Sequence, residues 1–158
     1  MSGANSDLRL RRGTLADLAI VMHHRLEMFR EMGSTDAQLQ AMEASSWPHF
    51  RERLADGRYQ AWFIEDATGH AAAGVGLSLI EYVPGPRDPQ PRRPLVVNVY
   101  TEPEYRRRGL ARLLMDELIG WCRAQGFPSV VLHASDDGRR LYESLGFIPT
   151  NEMRLRFD

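Results

Sequence analysis

Residues 95–124 read LVVNVYTEPEYRRRGLARLLMDELIGWCRA, and the fold is decided there. Residues 95–101 (LVVNVYT) are rich in β-branched and aromatic side chains, the composition of a strand. From Leu110 onward, Leu110, Leu113, Leu114, Leu118 and Trp121 recur at helical spacing and predict an amphipathic helix over residues 110–125. Gly126 and Pro128 stop it. Between strand and helix lies a turn, Arg106-Arg107-Arg108-Gly109-Leu110-Ala111. The start of a helix leaves several backbone N–H groups unpaired and carries the positive end of the macrodipole. That arrangement suits a phosphate or pyrophosphate. Gly109 and the small Ala111 let a ligand approach the backbone, and the flanking arginines add charge-assisted hydrogen bonds.

Upstream, residues 8–11 (LRLR) alternate as a half-exposed strand does. Thr14 reads as an N-cap with Asp17 in the capping-box position. Leu15, Leu18, Met22, Leu26 and Phe29 then form one helical stripe, closed by Gly33. A second helix is predicted over residues 36–54, broken near Pro48 because proline cannot donate within a helix. Residues 59–65 (YQAWFIE) and 72–83 read as strands joined by a hairpin turn at 66–69. Residues 84–94 (PGPRDPQPRRP) carry five prolines and read as a mobile loop inside one domain rather than a linker.

Downstream, residues 129–133 read as a short strand and 138–145 as a short helix stopped by Gly146. One or two final strands are expected over 147–157. With no internal repeat, residues 1–158 read as a single mixed α/β domain of order β-α-α-β-β-β-α-β-α-β.

Bulk properties narrow the function. A net charge of -1 argues against nucleic-acid binding through a basic surface. All 20 basic side chains are arginine and none is lysine. Schiff-base chemistry, pyridoxal-phosphate attachment and the GxxxxGK[ST] loop are therefore excluded. Cys122 is the single cysteine, so a disulfide framework and a cysteine zinc site are out; it reads as a core thiol. No signal-peptide pattern and no membrane-length apolar run occur, which predicts a cytoplasmic protein.

RRRGLA fits [QR]-x-x-G-x-[GA]; it sits within VYTEPEYRRRGLARLLM, and GRRLYESLGF and NEMRL follow in order. In these stretches the chain resembles the GNAT superfamily of N-acetyltransferases, closely over residues 95–157 and in element order alone before that. The resemblance implies an α/β (α+β) GNAT-like fold: a mostly antiparallel twisted sheet of six to seven strands with helices on both faces. It implies acetyl-CoA as co-substrate, no metal, and a primary amine of a small molecule or peptide as acceptor. Monomer and homodimer both stay open.

Residue by residue, the resemblance gives backbone groups of Val99, Tyr100 and Thr101 to the pantetheine arm. Arg106 belongs to the basic turn, and the amides of Arg107, Arg108, Gly109, Leu110, Ala111 and Arg112 would hold the pyrophosphate. Tyr142 matches the tyrosine that protonates the departing thiolate. A phenol of pKa about 10 can protonate a thiolate whose conjugate acid lies near 8.5 when the two are held together. Ser135 stands where many members place a cofactor-binding asparagine, and still offers a hydroxyl.

The stretches VVLHAS and LVVNVY contain no carboxylate, so the base is His133 or an ordered water. Asn98 either orients a substrate or pairs structurally. Glu27 and Glu31, at i and i+4, read as a solvated face. The alternative from another class is a non-catalytic acyl-CoA-binding or sensing module on the same fold.

Overall fold

The computed structural model describes residues 5–157. Its strands are β1 (Arg9–Arg12), β2 (Tyr59–Glu65), β3 (Ala71–Glu81), β4 (Arg92–Thr101) and β5 (Val131–Leu132). Its helices are α1 (Leu18–Glu31), α2 (Asp36–Asp56), α3 (Leu110–Ala124) and α4 (Asp136–Ser144), with single 3₁₀ turns at Leu15–Asp17 and Pro103–Tyr105. The strands lie in the order β1-β2-β3-β4-β5. The first four pair antiparallel, and β5 joins β4 in parallel.

Apolar residues on both faces of β2 explain helices on both sides of the sheet. Tyr59, Ala61 and Phe63 pack with Leu18, Val21 and Met22 of α1 and Phe50 of α2. Trp62 and Ile64 face the other way, into a core of Val75, Leu77 and Val96 with Leu110, Leu114, Met115 and Leu118 of α3. Each buried Val, Leu, Ile, Phe or Met among them contributes roughly 1.5–3 kcal/mol by leaving water. Thr14 and Asp17 form the expected capping box, and Asp66 closes the expected hairpin through the amide of Gly69.

Several local expectations are corrected. The helix over 36–56 is unbroken across Pro48. Proline removes only the bond to the Ala44 carbonyl, and the buried Leu39 and Phe50 anchor the helix on either side. Ser45 Oγ satisfies the preceding turn, donating to the carbonyls of Ala41 and Met42. Leu15 and Leu113 lie off the buried stripes, 46% and 49% exposed.

Strand β4 starts at Arg92, inside the proline-rich segment, and Pro94 is buried opposite Leu79. The remaining turn is tied by reciprocal bonds between Gly85 and Asp88. The sheet has five strands among the described residues, where six to seven were expected. Residues 147–157 form none, and Met153, Leu155 and Phe157 stand 79–94% exposed. The two-residue β5 offers too short an edge to seat another strand. No helix is long and apolar enough to cross a membrane among the described residues.

Candidate active site

Strand β4 parts from its neighbour at a bulge. Gly76 pairs with Val97 and Gly74 with Tyr100, so Asn98 and Val99 together oppose Val75. Asn98 takes the left-handed conformation, φ 57°, that a bulge of this kind needs. Pairing with β5 stops at Val96–Leu132. Beyond it, the backbone of residues 97–101 faces no strand on that side among the described residues.

Side chains lock the bulge from behind. Asn98 Nδ2 donates to the Tyr59 hydroxyl at 2.9 Å, and Asn98 Oδ1 accepts from Arg25 Nη1 at 2.8 Å. Tyr59 lies across Gly76, where a Cβ would overlap its hydroxyl. Burial raises the Tyr59 pKa well above the ordinary phenol value, so the hydroxyl stays protonated. Asn98 is therefore a structural pairing residue.

The arginine turn opens onto a cavity of about 260 Å³, lined by Thr101, Tyr105, Arg106, Arg107, Gly109, Leu110, Ala111, Arg112 and Leu141. Arg107 and Gly109 are both left-handed, φ 63° and 73°. Such left-handed residues turn successive amides toward a common concavity, at the point where α3 begins. A Cβ on Gly109 would meet nothing within 4 Å, so the space in front of that backbone is open. Tyr105 fastens the turn to the β2–β3 hairpin by donating to Asp66 Oδ2 at 2.6 Å. Arg108 lays its guanidinium over the Tyr105 ring, 5.2 Å from the centroid.

Arg106 does not project freely into the cavity. Its Nη2 donates to both carboxylate oxygens of Glu31, at 2.7 and 2.9 Å, and its Nε to the Thr101 carbonyl at 2.9 Å. Glu31 also accepts from the Tyr100 hydroxyl at 3.3 Å. The solvated-face reading of Glu31 is thus replaced by a tertiary role, while Glu27 pairs locally with Arg30. Arg112 donates to Ser144 Oγ and joins the start of α3 to the end of α4.

The Tyr100 side chain is buried against α1, and Val99 packs partly on the core, leaving only their backbone on the open strand edge. Tyr142, half-buried on α4, stands edge-on to Phe147 with centroids 6.0 Å apart, and burial raises its pKa. It lines a second cavity of about 800 Å³ beside Leu95, Val131 and His133. Leu141 lines the smaller cavity and Tyr142 the larger, so α4 stands between them. Ser135 lines neither; its Oγ caps α4 by accepting from the Gly138 amide. His133 is largely exposed and lies 3.7 Å from Glu152.

Sequence reasoning missed the carboxylate nearest the end of β4. Glu102 follows Thr101 directly and is buried, with Oε1 2.7 Å from His23 Nε2 and 3.7 Å from His24 Nε2. His24 is itself buried, and its pKa falls to about 4, from burial first and the charge of His23 second. The signal was present one residue beyond the strand; its pairing with two histidines of α1 was not.

A strand split at a bulge, with an open left-handed turn at the start of the next helix, is the arrangement expected of an acetyltransferase fold. The chain belongs to the acetyltransferase (GNAT) family, whose model matches residues 22–147. A GCN5-related N-acetyltransferase from Ralstonia eutropha JMP134 is 36% identical, over 95% of this chain and 98% of that one, with a TM-score of 0.89. A predicted acetyltransferase from Clostridium acetobutylicum, solved with acetyl-CoA, is 22% identical over 96% of both chains, with a TM-score of 0.83. A ribosomal-protein-alanine N-acetyltransferase from Brucella melitensis biovar Abortus 2308 is 20% identical over 96% of this chain and 99% of that one, with a TM-score of 0.67. The last two likenesses speak to the fold alone. No curated protein matches the chain.

Proposed function

We propose that this chain is an acetyl-CoA-dependent N-acetyltransferase that acts on a primary amine of a small molecule or peptide by direct attack. The observation that carries the reading is the open left-handed turn at the start of α3, beside the split between β4 and β5. Acetyl-CoA supplies an activated acetyl thioester.

The residues present fit it. The amides from Arg107 to Arg112 hold the pyrophosphate, with Arg107 and Arg108 adding charge. On the side away from β3, the backbone of Val99, Tyr100 and Thr101 aligns the pantetheine arm, and a β4 N–H polarises the thioester carbonyl. Tyr142 holds the proton that the leaving sulfur needs, kept in place by its raised pKa. Deprotonation of the acceptor falls to an ordered water or to His133, which lines the Tyr142 cavity. An α-amine suits such a weak base: with a pKa of about 8, roughly a tenth is neutral at pH 7.

Thermal unfolding with and without acetyl-CoA tests the binding half. A hundredfold excess over the dissociation constant gives about 2.7 kcal/mol of stabilisation. CoA release against a panel of amines, amino acids and peptides tests the transfer half. Binding without turnover on any acceptor would favour the sensing module.

A further inference from the structure

Arg25 is a half-buried cation with no salt-bridge partner among the described residues. Its guanidinium lies 5.0 Å from the Phe29 ring centroid and 5.2 Å from that of Phe50. One corner donates to Asn98, while Nε is shut from solvent and has no hydrogen-bond partner. Among the described residues no carboxylate lies within 4 Å of it. Arg11, by contrast, is held by both Asp17 and Glu65.

The surroundings deepen the imbalance. Toward β2 and β4, Arg25 meets the neutral Tyr59 phenol and Asn98 amide. Around the neighbouring His49 of α2, Arg53 and Arg58 add further positive charge and Glu52 a negative one. A partly desolvated charge is costly unless paired, and an incoming anion can supply the pair.

The place matters as much as the charge. Arg25 holds Asn98, the bulge residue where β4 leaves β5, next to the Val99 backbone assigned above to the pantetheine arm. An anion on the guanidinium is therefore one side chain from the reaction centre. In an α-amino acid the carboxylate carbon is two bonds from the amine nitrogen, which matches that short span. A planar carboxylate also matches the guanidinium fork.

We propose that Arg25 is the anion receptor of the acceptor site, so that the preferred acceptor is an amine bearing a nearby carboxylate. This rests on the acetyl-transfer reading and narrows it.

The test compares kcat/KM for free amino acids with that for the same amino acids as amides, with acetyl-CoA protection measured in parallel by thermal unfolding. The parent chain should prefer the acids, and Arg25→Gln should cut the acid-to-amide ratio about 10- to 100-fold. Arg25→Lys keeps the charge but not the fork; it should lose part of the preference, and serves where the glutamine variant fails to fold. A parent chain that protects with acetyl-CoA yet acetylates amides as well as acids overturns the inference alone. So does an equal loss for both acceptor types in the variants, which would mean that Arg25 acts by holding the Asn98 bulge. A parent chain that gains no stability from acetyl-CoA overturns both readings.

Discussion

Glu31, the last residue of α1, grips Arg106 of the basic turn through both carboxylate oxygens, at 2.7 and 2.9 Å. The first of the three arginines thus meets an anion already neutralised, while its Nε secures the Thr101 carbonyl. Both side chains are more than two-fifths exposed, so the pair adds little stability, under about 1 kcal/mol. Glu31→Gln should leave the melting temperature nearly unchanged and raise acetyl-CoA affinity about threefold at low salt, as one charge is unmasked. Calorimetric titration at low and high salt checks this, since the gain should vanish on screening. A loss of affinity instead would mean that the pair acts by shaping the turn.

Gly109 separates backbone strain from ligand clash. Its φ of 73° disfavours any side chain, but the space ahead is open. Gly109→Ala should therefore cost about 1–2 kcal/mol of stability from the left-handed conformation alone. Gly109→Glu should cost a similar amount and also abolish stabilisation by acetyl-CoA, because bulk and negative charge occupy the phosphate position. Denaturation curves of both variants, with and without ligand, read the two effects apart. Retained ligand stabilisation in Gly109→Glu would remove the turn from the binding site.

What was legible in the sequence is local. Strand, basic turn and helix over residues 95–124 depend on neighbouring propensities, one left-handed glycine and one apolar stripe, and all three formed. The relations that close the site join distant residues: Glu31 with Arg106, His23 with Glu102, Arg25 and Tyr59 with Asn98. Nothing in the spacing of α1 says which face meets β4, so Glu31 looked solvated. Pro48 misled for a related reason, because tertiary anchoring on both sides outweighs one lost helix bond. The final strands were expected over 147–157, with NEMRL resembling the family's last strand, but a local stretch cannot supply a partner edge, and β5 ends after two residues.

His24 predicts acid sensitivity unrelated to catalysis. Its folded-state pKa is depressed to about 4, chiefly by burial, whereas an unfolded histidine titrates near 6.5. The unfolded chain therefore binds more protons between those values. Stability is complete above about pH 6.5 and falls as pH drops toward 4, by up to about 1.4 kcal/mol per pH unit. Urea denaturation across pH 4–8 should show that slope, and His24→Gln should flatten it even if its absolute stability is lower. An unchanged slope in the variant would assign the acid sensitivity to other groups.

Tyr142 should matter more for turnover than for binding. Its ring packs on the core of the α3 face and against Phe147, and Tyr142→Phe keeps that packing while deleting only the hydroxyl. Melting temperature and acetyl-CoA affinity should therefore hold nearly constant. Loss of a general acid typically costs about 10²–10⁴-fold in rate, so kcat should fall into that range. Because burial raises the phenol's pKa, the parent enzyme should show no loss of activity from Tyr142 ionisation below about pH 10. Steady-state kinetics with a true acceptor across pH 6–10 reads both effects; thioester hydrolysis must be subtracted, since it can mask a slow transfer step. A drop in cofactor affinity at unchanged kcat would make Tyr142 a binding residue, and a lower melting temperature alone would make it part of the core. Turnover at the parent rate across the whole range would show that the leaving thiolate takes its proton from another donor.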